Sequence, residues 1–100
     1  MKLIAKLNEL SEGKITPVHL EKGDIIILIK RGQEVYALDA LCPHMGGPLD
    51  EGTLEGACLT CPWHGWQFDV KTGQSITSPG DDLKKYPLKI EGNNIYLMDE

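Results

Sequence analysis

Cys42-Pro43-His44-Met45-Gly46-Gly47 and Cys61-Pro62-Trp63-His64-Gly65-Trp66 share one grammar: a Cys-Pro start, a histidine, then glycine. Each stretch offers one thiolate and one imidazole, and sixteen residues separate His44 from Cys61. Two thiolates and two imidazoles can hold a tetrahedral zinc ion. Structural zinc, however, usually takes like ligands in pairs, two cysteines from one knuckle and two histidines from a helix. Here each loop is mixed, and a single residue between Cys42 and His44 leaves little room for two bonds to one ion. A [2Fe–2S] cluster in which imidazoles replace two thiolates on one iron removes that difficulty, because the Cys and His of a loop then bind different irons. The residue types leave both metals open and favour the cluster.

Working outward, the rest of the chain alternates short apolar runs with glycine and proline, the pattern of an all-β protein. Leu3–Leu7 and Gly13–His19 read as the first strands, and Gly23-Asp24 turns the chain into Ile25–Lys30. That continuous β-branched run predicts a strand buried on both faces. Arg31-Gly32-Gln33 turns into Val35–Ala40, a hairpin. Leu54–Thr60 and Gln67–Val70 read as short strands around the second Cys-His loop, and Leu88–Glu91 with Ile95–Met98 flank the hairpin signal Gly92-Asn93-Asn94. No segment reads as a helix beyond one turn at Asn8–Glu12.

The two loops and their flanks resemble the Rieske-type ferredoxins of oxygenase systems. The resemblance takes in Glu34-Val35-Tyr36-Ala37-Leu38-Asp39 upstream, Pro48-Leu49-Asp50-Glu51-Gly52 between the loops and His64-Gly65-Trp66-Gln67-Phe68-Asp69 downstream. It implies the Rieske fold: an antiparallel, sandwich- or barrel-like base from both ends of the chain, with a cluster-binding subdomain at 41–68 inserted in it. It implies one [2Fe–2S] cluster per chain, with Cys42 and Cys61 on the buried iron and His44 and His64 on the outer one. Gly46, Gly47 and Gly65 would allow turns that aim backbone N–H groups at the sulfides. Ser78-Pro79-Gly80 would form a third loop over the cluster. The free nitrogens of His44 and His64 would face solvent and couple electron uptake to protonation.

High-potential members of the family carry an extra cysteine in each loop, joined as a disulfide. Here Met45–Pro48 has none and Trp63 stands in the other place. Those members also place a serine just after His-Gly and a tyrosine two residues on, and their hydroxyls hydrogen-bond sulfur. Trp66 and Phe68 replace both, which predicts a potential at the lower end of the Rieske span. Cys58 lies three residues before Cys61 and reads as a buried small hydrophobe on the opposite face of a strand. His19, Asp81-Asp82 and Lys84-Lys85 read as ordinary surface or turn residues.

One hundred residues make one domain, 41% hydrophobic and 25% charged, with a formal net charge of −5. The acidity argues against nucleic acid as a partner. The longest aliphatic run, Ile25–Ile29, is far too short to span a membrane, and Met1–Leu7 lacks the apolar core of a signal peptide. Three cysteines, an odd number, suit a reducing compartment and a cytoplasmic protein. The functional expectation is a soluble one-electron carrier, not itself an enzyme. It would take electrons from a flavin-dependent reductase to a terminal oxygenase through transient contact near His44 and His64. The alternative is the small subunit of an assimilatory nitrite reductase-like complex. An oxygenase subunit would need a mononuclear iron site of two histidines and a carboxylate, and His19 is the one histidine to spare.

Overall fold

The strand around which the molecule is built is β3, Ile25–Arg31, at the centre of the computed structural model. The structure describes every residue except Met1, Lys22, His44, Met45, His64, Ser78, Pro79, Asp99 and Glu100. Ile26, Ile27, Leu28 and Ile29 are all fully buried, as the continuous aliphatic run predicts. Because successive side chains point to opposite faces, the run serves two cores. Ile27 and Ile29 pack with Leu38, Cys42, Leu49, Leu59, Cys61, Phe68 and Val70. Ile26 and Leu28 pack with Ala37, Ile95 and Leu97.

Three antiparallel sheets deliver those residues. The first joins the two ends of the chain in the order β1 (Lys2–Lys6), β10 (Asn94–Leu97), β9 (Leu88–Glu91). The central sheet runs β2 (Ile15–His19), β3, β4 (Glu34–Asp39), β8 (Lys85–Tyr86). The third is β5 (Thr53–Glu55), β6 (Cys58–Thr60), β7 (Gln67–Asp69). Leu97 and Ile95 of the first sheet cover one face of β3, and Leu59 and Phe68 of the third cover the other.

Strand bounds differ from the sequence expectation where pairing outweighs composition. β1 begins at Lys2 and carries an irregularity between Leu3 and Ala5 in its ladder with β10. The predicted second strand loses Gly13 and Lys14. Leu54–Thr60 is not one strand: Gly56-Ala57 folds it into the β5–β6 hairpin, with Glu55 opposite Cys58. The single turn expected near Asn8 is a 3-10 turn at Leu7–Glu9, and a second, unforeseen, lies at Leu49–Glu51.

Lys84-Lys85 is not simply solvated charge, since Lys85 lies in β8 and pairs with Leu38. A two-residue strand is too short to hold itself, and Asp39 secures it. The Asp39 carboxylate accepts from the Tyr86 hydroxyl at 2.6 Å and from the Lys84 N–H at 3.3 Å. Lys84 Nζ lies 4.9 Å from the Tyr86 ring centroid. Burial, then the hydrogen bond to Asp39 and its charge, push the Tyr86 phenol well above its ordinary value of 10.0. The folded state therefore holds that proton more tightly than the unfolded chain. The contribution is complete below pH 10 and is lost as pH rises toward the folded value. Tyr86→Phe is expected to cost about 1 kcal/mol at neutral pH and to flatten the alkaline fall in stability. Denaturant titrations of both proteins at neutral and alkaline pH check this; an unchanged alkaline slope would refute it.

Candidate metal centre

Cys42 follows β4 by three residues and Cys61 follows β6 by one, so both cysteines lie where strands end, within the core that packs on the Ile27 and Ile29 face of β3. The two loops close in the same way. The Cys42 N–H donates to the Gly47 carbonyl at 2.9 Å, and the Cys61 N–H donates to the Trp66 carbonyl at 2.7 Å, five residues on in each case. The fourth residue after each cysteine is a glycine in the left-handed region, Gly46 at φ +73° and Gly65 at φ +71°. A side chain there would be strained, which accounts for the repeated glycine. The shared grammar of the two loops thus corresponds to the same closing hydrogen bond and the same left-handed glycine.

Both cysteines are buried and free. Their thiols hydrogen-bond each other, and the Trp63 backbone N–H points at the Cys61 sulfur. Burial pushes the Cys61 thiol above its ordinary value; the Trp63 N–H opposes this and the neighbouring Cys42 adds to it. Iron must displace that proton, so acid opposes metal retention here. Gly47 lies against the pair: a Cβ at this position would come within 2.9 Å of Cys61 Sγ and 3.2 Å of the Trp63 ring. The first loop therefore reaches the second only because residue 47 has no side chain. Two free thiols in a dry core, with a backbone N–H aimed at sulfur, are a donor set that suits an iron–sulfur cluster.

His44 and His64 lie outside the described residues, as do Met45, Ser78 and Pro79. Among the described residues no three His, Cys, Asp or Glu side chains converge as a metal site. Cys58 does not join the pair. It is half-buried rather than buried, because it opens β6 opposite Glu55 and Asp69 while Leu59 faces the core. His19 is exposed at the end of β2. Trp63 is 47% exposed and Trp66 half-buried, while Phe68 is fully buried beside the cysteines. Sequence reasoning missed the loop-closing carbonyls of Gly47 and Trp66, which no residue type announces.

The Rieske [2Fe-2S] domain family matches residues 1–87 of the chain. The chain belongs to the Rieske [2Fe-2S] family. Such a domain carries a [2Fe–2S] cluster. The Rieske domain is 37% identical over 92 residues to the ferredoxin component of the naphthalene 1,2-dioxygenase system of Pseudomonas aeruginosa, covering 91% of this chain and 88% of that protein. It is also 37% identical over 95 residues to human apoptosis-inducing factor 3, where it spans 94% of this chain but only 16% of that protein. Among solved structures, a chain of the complex of reduced oxygenase and oxidized ferredoxin in carbazole 1,9a-dioxygenase superposes with a TM-score of 0.87 at 28% identity, covering 100% of this chain and 93% of that one. The Rieske domain is all-β in antiparallel sheets, as the resemblance implies. Among its described residues, no helix is long and apolar enough to cross a membrane.

Proposed function

We propose that this Rieske domain is a one-electron carrier, not a catalyst, that passes electrons from a flavin-dependent reductase to a terminal oxygenase. The observation that carries the reading is the buried pair Cys42 and Cys61, each followed directly by exposed residues, Pro43 and Gly46 in one loop and Pro62, Trp63 and Gly65 in the other. A buried anchor under a surface loop puts a redox group near a partner without opening the core. The relative from the naphthalene dioxygenase system, matched over most of its length, is itself a ferredoxin component. When bound, the cluster supplies a site that takes up and releases one electron.

In this reading Cys42 and Cys61 ligate the inner iron and His44 and His64 the outer one, and residues 41–68 form the cluster-binding subdomain. The protein's own work is to keep water from the thiolates, to aim the Trp63 N–H at sulfur and to hold both loops in register through the Gly47 and Trp66 carbonyls. Partner contact would centre on His44 and His64. Three free cysteines support a reducing, cytoplasmic setting.

The test is the visible absorption spectrum of the purified protein, then EPR after dithionite reduction. A rhombic signal with average g below that of all-cysteine clusters supports the reading, and a colourless zinc protein would end it. Phe68 is a fully buried hydrocarbon ring where high-potential members have a tyrosine hydroxyl. A redox titration is therefore expected to give a midpoint near about −150 mV, and a value above about +100 mV would contradict the account of Trp66 and Phe68.

A further inference from the structure

Gly47 is buried, although it sits in a loop between exposed Gly46 and half-buried Pro48. A glycine has no side chain with which to pack, so its neighbours must cover it. One of them is Trp63 of the second loop. A Cβ at residue 47 would come within 3.2 Å of two atoms of the indole and within 2.9 Å of Cys61 Sγ. The ring and the sulfur therefore lie together on the side of Gly47 to which a Cβ would point. The Trp63 backbone N–H is aimed at the same sulfur.

Core packing does not account for this ring. Trp66 packs against the core that holds the cysteines, whereas Trp63 belongs to neither core. Trp63 remains 47% exposed, while Cys61 two residues earlier is 1% exposed. On the core side Cys61 packs with Leu49, Leu59 and Phe68. On the loop side it meets Gly47 and, against the same glycine, the indole. Gly47 has nothing with which to extend its own cover, so a gap left by the indole would stay open.

We infer that the Trp63 indole, seated on Gly47, is a cover over the Cys61 sulfur that keeps small oxidants from the metal group and so reserves its electron for a protein partner. The inference rests on the reading of Cys61 as a cluster ligand and adds to it a residue that sets specificity. A hydrophobic shell around a metal site governs how solvent reaches it, and excluding small reactants suppresses side reactions. A reduced cluster holds one electron that a small acceptor can take without forming a bond, so distance of approach is the protein's means of refusal. One ring blocks only its own footprint. A partner protein can still approach the loops past exposed Pro43, Gly46, Pro62 and Gly65.

The test mixes the reduced holo protein with hexacyanoferrate(III) in stopped flow and follows cluster absorbance. One electron passes from the cluster to the ferric complex, which becomes hexacyanoferrate(II), and no bond forms or breaks. Trp63→Ala is expected to be oxidised about tenfold faster than wild type, and to release iron to a ferrous chelator, bathophenanthroline disulfonate, faster by a similar factor. Trp63→Phe is expected to stay within about twofold of wild type in both rates, because a smaller ring can still lie on Gly47. Trp63→Leu makes the same comparison with a smaller loss of cover, should Trp63→Ala hold no cluster. Leu3→Ala removes an equally exposed apolar side chain from β1 and is expected to change neither rate. The native EPR spectrum of each variant establishes that its cluster is intact. Slower oxidation of the alanine or leucine variant would overturn the inference, since the ring would then conduct rather than shield. Rates indifferent to residue 63 in a coloured protein would overturn it too. A wild-type protein without the cluster signal would instead strike at the ligand reading itself.

Discussion

His64→Ala and Cys61→Ser are each expected to give a colourless protein without the rhombic EPR signal of mixed ligation. Each substitution removes one of four proposed bonds to the cluster, and Cys61→Ser also puts a hydroxyl into a site buried among Leu49, Leu59 and Phe68. In a domain of one hundred residues a bound metal group is part of the folding free energy, so its loss should lower stability together with colour. Cys58→Ser is the matched comparison. Cys58 is half-buried on β6, away from the thiol pair, and its replacement should leave the spectrum intact. Retention of a native spectrum by His64→Ala would show the ligand assignment to be wrong; loss of it by Cys58→Ser would show that the pair Cys42 and Cys61 is incomplete.

Phe68→Ala is expected to be the most damaging change outside the ligands. The ring is fully buried, opposite Leu59 on β6, in the core that also holds Cys42, Cys61 and the Ile27 and Ile29 face of β3. Truncating such a ring costs about 3–5 kcal/mol, the lost transfer energy plus the cavity left behind. Small domains have about 5–15 kcal/mol in total, so the variant would sit near the threshold of folding. The cavity also lies beside the cysteines, so cluster loss should begin at lower denaturant than global unfolding. Urea titrations read by tryptophan fluorescence and by cluster absorbance in the same samples check both points. A shift below about 1 kcal/mol would mean that the core closes over the gap.

These two predictions draw on different kinds of information. The ligand set rests on residue types at fixed short spacing. Cys-x-His and Cys-x-x-His, each followed by glycine, are local patterns, and local patterns survive in a linear string. The same holds for the turns at Gly32-Gln33 and Gly92-Asn93, where φ is positive at both glycines and the flanking strands pair directly across. It holds too for the all-β class and for β3, whose aliphatic run Ile25–Ile29 has no polar face to expose.

What the string could not carry depends on residues brought together from far apart. β8 is two residues long and exists because Asp39, forty-seven positions before Tyr86, accepts its hydroxyl. The β5–β6 turn splits a segment that composition reads as continuous, because β6 must pair on both sides, with β5 and with β7. Cys58 is half-buried because its neighbour Leu59 takes the core-facing position, a choice made by register rather than by residue type. The contact of Gly47 with Cys61 and Trp63 likewise joins two loops that sequence reasoning could only set side by side. By itself, then, the sequence determined the class of fold and the turns at Gly32 and Gly92, and it supplied the proposed pattern of cluster ligands, because these need only neighbours along the chain. Tertiary structure alone decided that Asp39 secures β8, that Leu59 rather than Cys58 faces the core and how Gly47 meets the second loop, because each of those is set by contacts between distant segments.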